Sequence, residues 1–142
     1  MRKDEDLLEL ADGLHSASVR LLRRVRSEDQ KSGLSPARLS VLSVLAFSGP
    51  LTVGRLAAAE GVRSPTMTGI VNGLVEQGLV ERRSFGADQR AVEVAITRQG
   101  QQLFNAARKR RVEAVAALLE PLSPDDRDQI ARTVAVLKGR LG

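Results

Sequence analysis

Between Leu7 and Val25 apolar residues recur at three- and four-residue steps: Leu7, Leu10, Ala11, Leu14, Ala17, Leu21 and Val25. That spacing is the stripe of a long amphipathic helix, predicted from Asp4 to about Lys31 and ended by Ser32-Gly33. Ser35-Pro36 then offers a serine N-cap and a proline at the first helical position. The second helix runs to about Phe47, with Leu39, Leu42, Val44 and Leu45 apolar, and Ser48-Gly49-Pro50 stops it. Thr52 caps a shorter helix through Glu60, and Gly61 supplies a tight turn. Ser64-Pro65 repeats the cap-and-proline start for a helix ending at Gln77, with Gly78 placed as its left-handed C′ residue.

After Gly78 the period changes to two. Leu79 to Phe85 and Arg90 to Ile96 are predicted strands, and Val92, Val94 and Ile96 alternate with Ala91, Glu93 and Ala95 in a half-buried pattern. The hairpin tip is Gly86-Ala87-Asp88-Gln89-Arg90. Thr97 opens a long helix to about Leu119, carrying Leu103, Ala107, Val115, Leu118 and Leu119. Ser123-Pro124-Asp125-Asp126 caps a final helix whose stripe is Ile130, Val134, Leu137 and Leu141, its early acids complementing the macrodipole. The expected fold is mainly α with a small β-wing: a winged helix-turn-helix module at 35–97 within a single domain of 142 residues. The segments 1–32 and 98–142 lie outside that module, yet each carries an apolar face. They either pair with a second copy as dimerisation helices or fold back on their own module.

Within the module Ala57, Gly61 and Val62 stand where a helix-turn-helix needs a small residue, a turn former and an apolar plug. At about 100° per residue, Met67, Ile70, Val71 and Leu74 share one face of the 64–77 helix. Pro65, Gly69, Asn72 and Glu76 fall opposite, flanked by Ser64, Thr66, Thr68 and Gly73. Gly69 and Gly73 cost such a helix ~1 kcal/mol each relative to alanine, which suits a face that must approach another surface closely. Thr66, Thr68 and Asn72 have the chemistry to touch base edges. Ser64 and the free N–H groups of the first turn suit a phosphate. The candidate DNA-binding set is Arg63, Ser64, Pro65, Thr66, Thr68, Gly69, Asn72, Arg82, Arg83, Asp88 and Arg90. Asp88 and Arg90 point the same way in an extended segment, so the carboxylate can aim the guanidinium into a narrow minor groove. Arg82 and Arg83 suit phosphate contacts.

Composition sharpens this picture. Lys+Arg number 22 against 17 Asp+Glu, and the pI near 10.6 makes polyanions plausible partners. Without cysteine and with one histidine, disulfides, thiol redox sensing and Cys/His zinc sites are excluded, and no cofactor or metal is expected. Tryptophan and tyrosine are absent and phenylalanine is scarce, which argues against a stacking surface for single strands. No apolar run approaches the ~20 residues of a membrane span, and Met1-Arg2-Lys3-Asp4-Glu5-Asp6 turns acidic at once and leads into an amphipathic pattern, unlike a signal peptide, so a cytoplasmic protein is expected. No nucleophile–histidine–acid group or phosphate-cradling glycine loop is present, so an enzyme is not expected.

The run Gly78-Leu79-Val80-Glu81-Arg82-Arg83, the Asp88-Gln89-Arg90 wing and the stretch from Ala91 to Gly100 before a long helix resemble the MarR family of bacterial winged-helix regulators. The resemblance spans nearly the whole chain. It implies a triangular homodimer joined through its terminal helices, a transcriptional repressor that binds double-stranded DNA at a pseudo-palindrome. The 64–77 helix would enter the major groove and Arg90 the minor groove, with half-site centres ~10 bp apart. Family members commonly carry a basic residue where this chain has Gly69, and a proline-containing acidic loop where it has Phe85-Gly86-Ala87. Direct base reading is therefore expected to be thinner here and shape readout heavier. Many members of that family release DNA when an aromatic or phenolic anion lodges between the dimer helices and the winged module. The corresponding effector pocket here would involve His15, Arg20, Arg23, Phe47 and Phe104. The competing reading is a winged-helix protein–protein interaction module without DNA binding, for which a wing bearing Arg82, Arg83 and Arg90 is unexpected.

Overall fold

A computed structural model describes residues 2–84 and 92–142. Among them are six α-helices and a three-stranded sheet: α1 (Arg2–Arg26), α2 (Pro36–Ser48), β1 (Leu51–Thr52), α3 (Val53–Glu60), α4 (Ser64–Glu76), β2 (Val80–Ser84), β3 (Val92–Ile96), α5 (Arg98–Leu119) and α6 (Pro124–Leu141). A 3-10 turn at Ser27–Ser32 joins α1 to α2, so the first helix ends earlier than its stripe predicts. Local side-chain bonds compete with the α ladder there: Ser27 Oγ donates to Arg24 O and Ser32 Oγ to Asp29 O.

Four helix starts follow from serine or threonine side chains that accept the backbone N–H three residues on. Ser35 takes Arg38 N–H, Thr52 takes Arg55 N–H, Thr97 takes Gly100 N–H and Ser123 takes Asp126 N–H. The fifth expectation fails. Arg63, not Ser64, occupies the N-cap of α4, and its side chain makes no cap bond. Ser64 is already helical and Pro65 takes the second position, where its missing N–H is equally harmless.

The sheet is antiparallel in the order β1-β3-β2, one strand more than the predicted hairpin. Leu51 pairs with Val94 on one side of β3, and Arg82 pairs with Val94 on the other. Strict alternation holds only in part on β3, where Val94 and Ala95 are both buried.

The core lies inside the 35–97 module and its junction with α5. Leu42, Leu45, Leu56, Met67, Val71, Leu74, Val80 and Val94 are fully buried. Each such side chain contributes about 1.5–3 kcal/mol by leaving water. Ala107 and Leu103 of α5 close this core from outside, against α2. Thr97 knots the junction: its N–H donates to Leu79 O, and its Oγ1 donates to Gly78 O.

The outer helices differ sharply from this. Among the described residues α1 buries only Val25 and α6 buries none. Leu7, Leu8 and Leu10 are each more than 60% exposed, as are Val136 and Leu141. The α5 segment instead runs beside α1 and the 3-10 turn, where Arg111 grips Asp29 in a two-pronged ion pair. The hydrogen bonds that Arg111 donates to buried Asp29 hold its guanidinium above its ordinary pKa, outweighing the opposing pull of desolvation.

Candidate nucleic-acid interface

The α3–turn–α4 unit forms as its small residues dictate. Ala57 is buried where the two helices meet, Gly61 takes a left-handed φ of 66°, and Val62 packs against the core while its N–H closes on Ala57 O at 3.0 Å. A side chain at Gly61 would be strained in that conformation. Ser40 Oγ donates to Glu60 Oε1 at 2.9 Å, tying α2 to the end of α3.

With Met67, Val71 and Leu74 fully buried and Ile70 packed against them, the other side of α4 is left to solvent. Arg63, Ser64, Pro65, Thr66, Thr68, Gly69 and Asn72 are all exposed there, on one continuous surface. Nothing lies within 4 Å of where a Gly69 side chain would begin, so this glycine leaves bare backbone open to an approaching surface. Gly73 does not. Its space is filled by the guanidinium of Arg38, which reaches across from α2 and donates from Nη1 to Gln77 Oε1 at 3.0 Å. Its smallness serves an internal contact rather than an external one, and Arg38 adds a cation beside α4 that the linear sequence did not single out. The partners are 39 residues apart, and only the unexplained glycine hinted at one.

Arg82 and Arg83 are both exposed on β2. Arg82 shares its strand face with buried Val80, toward the helices, and Nη2 donates to Asn72 Oδ1. Arg83 points to the other face and is neutralised in part by Glu81, two residues away. Thr68 Oγ1 donates to Ser64 O at 2.9 Å, which engages its hydroxyl proton with the helix backbone. Asp88 and Arg90 lie outside the described residues, as does the rest of the hairpin tip.

A concavity of about 370 Å³ opens where α1, α2 and α5 converge. Phe47 and Phe104 meet there edge to face, with ring centroids 5.8 Å apart. Arg26 and Arg108 bring positive charge to its walls, Arg111 is paired there with Asp29, and Ser40 and Ser43 bring hydroxyls. The two predicted phenylalanines are thus brought together, but His15, Arg20 and Arg23 are not among the lining residues. Helical phase explains why. Leu22 and Arg26 face the cleft, Arg20 and Arg23 are rotated away from Leu22 by ~100° or more, and His15 stands about 10 Å further up α1.

Known proteins agree with this architecture. The MarR family model matches residues 32–91. An HTH-type transcriptional regulator of Mycobacterium leprae is 39% identical over 128 residues, covering 90% of this chain and 89% of that protein. The HTH-type transcriptional repressor YetL of Bacillus subtilis is 26% identical over 140 residues, covering 97% of this chain and 84% of its own. A transcriptional regulator from Thermotoga maritima superimposes with a TM-score of 0.83 at 26% identity, covering 94% of each chain. No described helix is long and apolar enough to cross a membrane. The chain belongs to the MarR family of helix-turn-helix transcriptional regulators.

Proposed function

We propose that this protein is a dimeric cytoplasmic repressor that reads pseudo-palindromic double-stranded DNA and is released by a small aromatic or phenolic acid. The observation that carries the reading is the outer surface of α4. Its apolar residues all turn inward, leaving Arg63 to Asn72 as a polar face with Arg38 and Arg82 at its edges. In this reading Arg63, Ser64 and the free N–H groups at the start of α4 hold phosphate, and Pro65, Thr66, Thr68, Gly69 and Asn72 face the bases. Arg82 and Arg83 lie toward the flanking backbone, while Asp88 aims Arg90 into the minor groove.

The segments 1–32 and 98–142 serve as dimerisation helices, supported by the apolar residues that α1 and α6 leave uncovered. The effector site is the cleft between α1, α2 and α5, where Phe47 and Phe104 suit an aromatic ring and Arg26 and Arg108 a carboxylate or phenolate. The resemblance to a protein named as a repressor supports repression over activation.

Retention on duplex DNA across a salt series tests this against the protein-adapter alternative. A dimer neutralising ~6–10 phosphates loses roughly a thousandfold or more in affinity between 50 and 200 mM salt. Arg90→Ala is expected to weaken binding with the dimer intact, and aromatic carboxylates to release the wild-type complex. Weak, salt-independent retention would favour the adapter; equal affinity of Arg90→Ala and wild type at physiological salt would remove the minor-groove role.

A further inference from the structure

The contact between Asn72 and Arg82 determines what α4 can say to a base. Asn72 lies on the exposed side of α4, and Arg82 stands on β2, where the chain has doubled back after Gly78. Arg82 Nη2 lies 2.5 Å from Asn72 Oδ1. A guanidinium has only donors, so the amide atom facing it must be the oxygen, which fixes the amide orientation. The amide nitrogen then sits on the far side of Cγ, turned away from the strand and carrying two N–H groups.

An asparagine read in isolation favours adenine, because its oxygen accepts from N6 while its nitrogen donates to N7. Here the oxygen is engaged by a cation. The positive charge beside it also repels the partly positive N6 amino group. The groups free to face a base are the two Asn72 amide protons, while the second lone pair of Oδ1 lies against the Arg82 charge. Guanine is the only base that offers two acceptors, O6 and N7, in the major groove. We propose that Arg82, by holding and polarising the Asn72 amide, makes Asn72 a donor-presenting reader that selects guanine over adenine at one position of each half-site. This rests on α4 being the base-facing helix.

The pair also assigns Arg82 a task that a phosphate ligand does not have. It sets the polarity of the Asn72 amide, so its removal should change the preferred base rather than merely weaken binding. Both side chains are exposed and away from the core, so substitutions leave the fold intact.

Selection of bound fragments from random duplexes by the full-length protein, by Asn72→Ala and by Arg82→Met tests the proposal. Wild type is expected to enrich guanine at one symmetric position, and Asn72→Ala to lose that preference by about tenfold with the rest of the motif retained. Arg82→Met is expected to shift the same position toward adenine, since the freed oxygen again completes the two-bond fork. Replacing that guanine with 7-deazaguanine, which lacks the N7 acceptor, should weaken wild type about tenfold and leave Asn72→Ala unchanged. The proposal is overturned if both variants keep the wild-type base profile, including the case where Arg82→Met loses affinity evenly for all sequences. It is equally overturned if wild type prefers adenine at the position that depends on Asn72. If wild type enriches no motif, the assignment of α4 as the base-facing helix falls as well.

Discussion

Deleting residues 123–142 is expected to yield a monomer whose affinity for a two-half-site duplex is lower by about a hundred- to ten-thousand-fold, the loss that follows when two tethered sites become independent. No residue of α6 is buried in the isolated chain, and Ile130, Val134, Val136 and Leu141 are open to water. A helix of that kind has no reason to persist unless something covers it, because packing of an apolar face supplies most helical stability in proteins. The core of the reading module draws on residues from Leu34 to Ala107 and takes nothing from α6. The truncated chain should therefore keep its cooperative melting while losing self-association. Sedimentation equilibrium at micromolar concentration decides the matter, and a truncated protein that still sediments as a dimer would contradict the assigned interface.

Gly100→Val is expected to lower the melting temperature by about 10 °C, the result of forced overpacking worth roughly 3 kcal/mol in a chain of this size. A Cβ at Gly100 would sit 2.9 Å from Ile96 Cγ1 and 3.0 Å from the carbonyl carbon of Leu79, nearer still to the oxygen. That carbonyl cannot swing aside cheaply, because it accepts the Thr97 N–H at 3.0 Å. Either α5 lifts off the sheet or the Thr97 knot opens. Gly69→Ala provides the contrast: its Cβ meets nothing, so alanine should add ~1 kcal/mol of helix stability. Thermal denaturation of the two variants side by side is the check. A wild-type melting point for Gly100→Val would mean that the α5–sheet junction is looser than its geometry implies.

These cases mark where the linear sequence is informative. The caps at Ser35, Thr52, Thr97 and Ser123 were legible because donor and acceptor lie within three residues of each other. Ser64-Pro65 carries the same letters, but α4 begins one residue earlier, and a serine inside a first turn cannot be told from one at its edge. The buried face of α4 was legible from periodicity alone. Strand β1 was not, since two residues have no period and exist as a strand only by pairing with Val94 and Glu93 far downstream. Arg38 over Gly73, Arg82 on Asn72 and Arg111 on Asp29 escaped for one shared reason. Each joins elements whose proximity is set by packing, and long side chains have many partners within reach until the backbone fixes one. Of the cleft, the sequence singled out Phe47 and Phe104, whereas Leu22 and Arg26, not Arg20 and Arg23, line it from α1, because composition reveals charge and not rotation about a helix axis.

Helix α5 is anchored to the sheet at Thr97, gripped by Asp29 at Arg111, and continues to Leu119. At 1.5 Å per residue the fulcrum at Arg111 divides it into lever arms of about 12 Å outward and about 21 Å inward. Pinned at both points, α5 is one continuous strut shared by the sheet and the turn that follows α1.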